Sequence, residues 1–231
     1  MISKEYLPYL KGSIFIVTYG RSGSTLLMNV INTIKGAEIK GENYNALFPL
    51  FQSIMKAQLT SNHHGNDSAK LSSPWLGANN INHEQYKAEL IVTFVKNILR
   101  PSLEARFIGF KEIRYSSHPS YFIDYLDFIQ NSFPNAKLVF NMRNPEDTSQ
   151  SGWYKEQDRK AVIDDLNWQI SVFQNYLDKH PNDTISVSYD EYNGNPNALR
   201  KMFGFLEEPF NEEEIASVMS KRLSHLKEVE N

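Results

Sequence analysis

Ser13-Ile14-Phe15-Ile16-Val17-Thr18-Tyr19-Gly20-Arg21-Ser22-Gly23-Ser24-Thr25-Leu26-Leu27 leads an apolar run into a turn of small residues and then into a helical repeat. Ser13 to Thr18 reads as a buried strand ending at a glycine-bearing turn. Beyond the turn, Leu26, Leu27, Val30, Ile31 and Ile34 recur at helical spacing, closing at Gly36. Small residues let backbone approach an anion closely. A helix starting there points unpaired N–H groups and the positive end of its dipole back at the turn. Arg21, Ser22, Ser24 and Thr25 add side-chain donors, so Gly20-Arg21-Ser22-Gly23-Ser24-Thr25-Leu26 is suited to a phosphate or sulfate; a turn that merely connects strand to helix is the alternative. The triphosphate pattern G-x-x-x-x-G-K-[ST] is not met, because Ser24 and Thr25 follow Gly23 where it requires lysine. The loop therefore suits one phosphate, with no Mg²⁺ expected beside it.

Working outward, Ala37 to Lys40 is a short second strand, and Leu47, Leu50, Phe51, Ile54 and Met55 mark an amphipathic helix. Arg106 to Ile113 reads as a strand, Phe122 to Ile129 as a helix, and Lys137 to Asn141 as another clear strand. Val162, Leu166, Ile170, Phe173 and Leu177 line a long helix before a last strand, Thr184 to Ser188. Asn211, followed by Glu212, Glu213 and Glu214, looks like the cap and acidic first turn of a terminal helix. Strands alternating with helices predict an α/β fold with a mainly parallel central sheet and right-handed crossovers. Residues 60–83, rich in Ser, Asn, His and Gly, read as a long polar loop, followed by a helix over 84–99 that Pro101 stops. With no internal repeat or linker, 1–231 is expected to be one domain carrying a loop–helix insertion at about 60–104.

A net charge of −3 supplies no global basic field for nucleic acid or an anionic membrane, so any bound anion must be held by local groups. The absence of cysteine excludes disulfides, thiol nucleophiles and thiolate metal sites, and fits a reducing, cytoplasmic location. Met1 to Tyr9, with Lys4, Glu5 and Pro8, lacks the apolar core of a signal peptide. No apolar run approaches the ~18 residues of a membrane span. The histidines are scattered without ligand spacing, so no metal site is predicted. Trp75, Trp153 and Trp168 read as packing residues, with sugar platforms as the alternative and Trp75 in the long loop placed to touch an acceptor.

A second constellation follows the strand ending at Asn141: Met142-Arg143-Asn144-Pro145-Glu146-Asp147-Thr148-Ser149-Gln150-Ser151-Gly152-Trp153-Tyr154. Arg143 sits at the carboxyl end of a strand, where open α/β sheets bind ligands. Pro145 fixes a turn, Asp147 is placed to cap the next helix, and Ser151 falls about one turn into it. An arginine fork plus a hydroxyl can clamp a second phosphate.

Together the two segments resemble the sulfotransferases that use 3'-phosphoadenosine-5'-phosphosulfate (PAPS). Gly20 to Leu26 is similar to their 5'-phosphosulfate loop. Arg143-Asn144-Pro145-Glu146-Asp147 through Ser151-Gly152-Trp153-Tyr154 is similar to their 3'-phosphate motif, an arginine followed eight residues later by a serine. Val187 to Tyr192, Asn195-Pro196 and Phe205-Leu206 resemble later parts of the family, whereas residues 56–104 resemble none of it. The resemblance implies a P-loop-kinase-like three-layer fold, with PAPS as donor and adenosine 3',5'-bisphosphate as product. It also implies that Arg143 and Ser151 hold the 3'-phosphate.

Glu42, just past the second strand, would project from the same sheet edge as the loop. The resemblance makes it the candidate general base for an acceptor hydroxyl; an acidic residue near a helix start is the alternative. Lys111, at the end of an apolar strand, is the candidate contact to the moving sulfonate, with a surface pairing to a glutamate as the alternative. Arg21 faces either the sulfonate or the 5'-phosphate. The family's basic segment near the carboxyl end is reduced here to Lys221-Arg222, expected within the terminal helix. The acceptor is a hydroxyl compound, glycan or other alcohol, with 60–83 and the following helix shaping its pocket; the oligomeric state is unreadable. A P-loop kinase and a non-catalytic nucleotide-binding domain are the competing readings.

Overall fold

The structure, a computed structural model, describes residues 6–66 and 71–221. Its strands are β1 (Gly12–Val17), β2 (Ala37–Lys40), β3 (Phe107–Glu112), β4 (Ala136–Met142) and β5 (Thr184–Ser188). They form one sheet in the order β2-β3-β1-β4-β5, with every neighbouring pair parallel. Helix α1 (Ser24–Ile31) connects β1 to β2; α2 (Leu47–His64) and α3 (His83–Phe94) lie between β2 and β3. Helix α4 (Phe122–Ser132) precedes β4, and α5 (Pro145–Ser149) and α6 (Arg159–Lys179) precede β5. Helices α7 (Tyr189–Tyr192), α8 (Arg200–Phe205) and α9 (Glu212–Ser220) follow.

Successive strand side chains point to opposite faces, and both faces are covered, which is why the strands read as unbroken apolar runs. Phe15 and Val17 of β1, with Leu138 and Phe140 of β4, pack against Phe51, Leu126 and Phe173 of α2, α4 and α6. Ile14, Ile16 and Val139 pack on the other side against Leu27 and Val30 of α1, Met202 of α8 and Ile215 of α9. The result is the expected three-layer α/β architecture. No helix among the described residues is long and apolar enough to cross a membrane.

Residues 60–83 are less open than their polarity implied. Helix α2 continues to His64, because Lys56 to His64 contains neither Gly nor Pro and its outer turns need no apolar face. The His64 ring stacks on Trp75, 3.8 Å between centroids, and Ala78–Asn80 forms a 3₁₀ turn. The next helix is regular from His83 only to Phe94, continues as a π turn over Val95–Leu99, and ends at left-handed Arg100 before Pro101.

The strand order positions the site. From β1 the chain builds β2 and β3 to one side and β4 and β5 to the other. The carboxyl ends of β3, β1 and β4 therefore lie side by side at the reversal of strand order, where α/β sheets form a ligand crevice. Gly109 makes the close approach of β3 to β1: a Cβ there would stand 1.8 Å from the Ile14 carbonyl oxygen. Gly109→Ala is expected to cost on the order of 3 kcal/mol, as overpacking against rigid backbone does. A urea unfolding midpoint within experimental error of wild type would contradict this.

Candidate active site

The loop after β1 is shaped from below. Arg21 (φ 61°) and Gly23 (φ 78°) both adopt left-handed backbone, and such turns form anion-binding concavities. Gly23 precedes α1, and the Tyr189 ring lies 2.0 Å from where its Cβ would be, so only glycine fits. A left-handed arginine is strained, a condition that persists where surrounding contacts enforce it. Those contacts are buried: Thr18 Oγ1 and Ser22 Oγ lie 2.6 Å apart, and the two hydroxyls also reach the Asn141 and Tyr19 carbonyls. Asn141 Nδ2 donates to the Ser22 carbonyl, while its Oδ1 accepts from the Tyr192 hydroxyl.

A cavity of about 580 Å³ opens above this loop. Gly20, Arg21, Gly23, Ser24, Thr25 and Leu26 line it together with Glu42, Lys111, Arg143 and Ser151. Ser22 is the exception among the sequence candidates: its side chain is fully buried and braces the loop from within. Lys221 also lines the cavity; it lies just beyond α9 instead of inside a helix, and Arg222 falls outside the described residues. No described residue between 60 and 104 contributes to the lining. The pocket on that stretch is a separate one between the end of α2 and Trp75.

Arg143 is held by the backbone on either side of its Cα. The Tyr19 hydroxyl donates to the Arg143 carbonyl at 2.6 Å and accepts from the Arg143 N–H at 2.8 Å. Burial pushes the Tyr19 pKa up to about 12, so the donor proton stays in place across the physiological range. The guanidinium lies over the Tyr189 ring, and Nη1 donates to the Arg21 carbonyl. Its Nε is buried without a hydrogen bond, with Asp190 Oδ1 4.0 Å away. Ser151 Oγ accepts from Arg21 Nε at 3.1 Å. The cap preceding Ser151 differs from the sequence expectation. Asn144, not Asp147, caps α5 by accepting from the Glu146 and Asp147 N–H groups, with Pro145 at the first helical position. The helix consequently ends at Ser149, and Ser151 is extended, opening a 3₁₀ turn.

Lys111 and Glu112, consecutive on β3, are buried on opposite faces. Lys111 Nζ binds Glu42 Oε1 at 2.5 Å. The other Glu42 oxygen takes Arg114 Nη1 at 2.9 Å, and the same nitrogen reaches Glu112. Burial disfavours charge on Glu42, but the hydrogen bonds and charges of Lys111 and then Arg114 outweigh it and hold the carboxyl below the usual glutamate range. Glu112, fully inaccessible, accepts from the N–H groups of Asn43, Asn45 and Ile113 as well as Arg114.

Residues 13–212 match the family model described as "Sulfotransferase family". The chain belongs to the sulfotransferase family. Members of this family transfer a sulfuryl group, and this chain is an enzyme of that kind. Among solved structures it is similar to sulfotransferase STF9 from Mycobacterium avium, at 9% identity and a TM-score of 0.44, covering 94% of this chain and 69% of that one. It is also similar to mouse sulfotransferase SULT7A1 complexed with PAP, at 17% identity and a TM-score of 0.45, covering 95% and 71%. No curated protein matched.

The candidate site includes residues to which the sequence reading gave no role in it. Tyr19 ties the two phosphate-loop candidates together, Glu112 organises the Glu42 loop, and Arg114 pairs with both Glu42 and Glu112. Their signal was polarity next to apolar strand ends, which does not reveal pairing partners far away in sequence. Glu112→Gln replaces an acceptor of four donors with an amide that must turn N–H groups toward some of them. It is expected to lower stability by about 1–3 kcal/mol. Urea unfolding at constant m-value checks this, and an unchanged midpoint would dismiss the bracing role.

Proposed function

We propose that this sulfotransferase moves the sulfuryl group of PAPS to an acceptor hydroxyl, of a glycan or another alcohol, with Glu42 as general base. The observation that supports this most is Arg143. Its side chain lines the same cavity as a single-phosphate loop, held in place over Tyr189 and by its bond to the Arg21 carbonyl. A guanidinium fixed beside such a loop presents a charged fork suited to a second phosphate.

Arg143 and Ser151, with Lys221 at the rim, would hold the 3'-phosphate. The loop from Gly20 to Leu26 would hold the 5'-phosphate, with Ser22 bracing it from below. PAPS supplies the sulfuryl group and leaves as adenosine 3',5'-bisphosphate. Arg21 and Lys111 place positive charge where the equatorial oxygens and the leaving phosphate gather negative charge. Glu42 is ionised at neutral pH and takes the acceptor proton, a contribution of ~10²–10⁴-fold in rate. An anion in the cavity competes with Glu42 for the Lys111 ammonium. As that pair loosens, the Glu42 pKa rises towards its ordinary value and the carboxylate becomes a better base.

Calorimetric titration with adenosine 3',5'-bisphosphate, AMP and ATP–Mg²⁺ tests the donor assignment. Preference for the bisphosphate is expected, and Arg143→Ala should erase that preference while leaving AMP binding nearly unchanged. Preference for ATP–Mg²⁺ would support a kinase instead, and binding of none a non-catalytic domain. Glu42→Gln should abolish turnover with bisphosphate binding retained; undiminished turnover removes Glu42 as base.

The pH profile is a separate test. The base must be ionised, and its free-enzyme pKa is depressed, so kcat/KM should hold until the pH falls below about 4.3, the ordinary glutamate value. Arg114→Gln removes one of the groups lowering that pKa, so its acid limb should move to higher pH. An unmoved limb would show that Glu42 does not govern it.

A further inference from the structure

A second cleft, about 410 Å³, meets the donor cavity at the phosphate loop; the two share Gly20, Ile113 and Trp153. Arg114 lines this second cleft and hydrogen-bonds Glu42, the carboxylate proposed to deprotonate the acceptor, which itself lines the donor cavity.

Its lining is amphipathic in a particular way. Trp153 and Trp168 are 48% and 38% exposed, although tryptophan is usually well covered. Trp153 packs over Gly20, whose Cβ would stand 2.5 Å from the indole, and the Arg21 guanidinium lies over its ring. These contacts fix one aromatic plane at the boundary between the cavities. Opposing polarity comes from α6 and the turn after β3. The Ser116 hydroxyl donates to Gln169 Oε1 at 2.6 Å, and Gln169 Nε2 donates to Asp165 Oδ2 at 2.7 Å. Asp165 is thereby oriented, and it makes no other hydrogen bond among the described residues.

We propose that this cleft is the acceptor subsite and that it takes a neutral saccharide, resting on the proposal that Glu42 is the base. A pyranose ring has an apolar C–H face to lie on an indole and equatorial hydroxyls at its rim to donate to a carboxylate. Both features are supplied here within one cleft. The charge balance selects against other acceptors. The cation lining the cleft, Arg114, is already bound to Glu42 and Glu112, which leaves Asp165 as the unpaired charge. An acidic peptide or an already sulfated glycan would meet that carboxylate with like charge. A plain phenol or lipid alcohol would leave the Ser116–Gln169–Asp165 chain without a use. The acceptor oxygen bonds to sulfur as the bond from sulfur to the 5'-phosphate oxygen breaks, its proton passes to Glu42, and a saccharide sulfate ester results.

The test has two arms. In the first, without donor, intrinsic tryptophan fluorescence and calorimetry follow titration with neutral oligosaccharides of glucose, galactose and N-acetylglucosamine. Saturable quenching is expected for at least one, lost in Trp168→Ala and weakened in Asp165→Asn. In the second arm, radiolabelled PAPS is supplied with the same saccharides, 4-nitrophenol and an acidic tyrosine peptide. Saccharide sulfation is expected, with Trp168→Ala raising the saccharide KM by about tenfold or more while bisphosphate affinity stays at wild type. Absence of saccharide binding in the first arm, quenching unaltered by both variants, or sulfation confined to the phenol or peptide overturns the proposal. Failure of the donor reading would appear instead as loss of bisphosphate binding with saccharide quenching intact.

Discussion

Two consecutive charged residues, Lys111 and Glu112, are buried at the carboxyl end of β3, and neither is tenable without partners. Strand alternation sends them to opposite faces, so each recruits its own compensation. Lys111 takes Glu42. Glu112 takes three backbone N–H groups and Arg114, which returns to Glu42. The segment after β2 includes two left-handed residues, Tyr44 and Asn45, a conformation that needs outside support. Glu112 supplies that support by accepting from the Asn43 and Asn45 N–H groups, and the Asn45 side chain adds bonds to Tyr125 and the Arg114 carbonyl. The position of Glu42 thus follows from the need to satisfy a buried carboxylate on the strand beside it.

The two phosphate-loop candidates are coupled in the same manner. One side chain from the first loop, Tyr19, occupies both the N–H and the carbonyl of Arg143, and one from β4, Asn141, occupies the Ser22 carbonyl. The third participant is Tyr192, whose hydroxyl reaches Asn141. Three segments far apart in sequence are joined by hydrogen bonds in a largely dry interior, where such bonds are strong and leaving one unmade is costly. The separation between the loop and Arg143 is therefore set by protein contacts before any ligand enters, which is what low-cost recognition of an anion with two phosphates requires.

Much of this was legible in the sequence because apolar periodicity reports burial. The strands and the principal helices emerged from their runs, and the strand–turn–helix at Gly20 marked the loop that lines the main cavity. The misreadings share a cause. Thr60 to His64 looked like loop because it is polar, but an exposed helical surface needs no apolar residues, only the absence of Gly and Pro. Asp147 looked like a cap, but Asn144 before Pro145 wins because proline at the first helical position fixes where the helix begins. Lys111 finds Glu42, Tyr19 finds Arg143 and Glu112 finds Asn45 between 67 and 124 positions away, and no local pattern encodes those pairings.

The tryptophans illustrate how a residue type changes meaning once its neighbours are known. Trp153 follows Ser151 and Gly152, and from sequence a large aromatic near a turn reads most simply as packing. In the fold, its indole covers Gly20 and the Arg21 guanidinium lies over it, yet about half of it remains exposed at the junction of two cavities. That placement has an electrostatic consequence. An aromatic face beside Arg21 disperses no charge itself, but it keeps water from one side of the guanidinium, and an ion pair formed on the open side is screened less. The same indole is then a wall for both clefts. A ligand in the second cleft would exclude water from the boundary and strengthen the attraction of Arg21 and Lys111 for negative charge in the first. Desolvation of that shared wall is a route by which ligands in the two clefts would strengthen each other's binding.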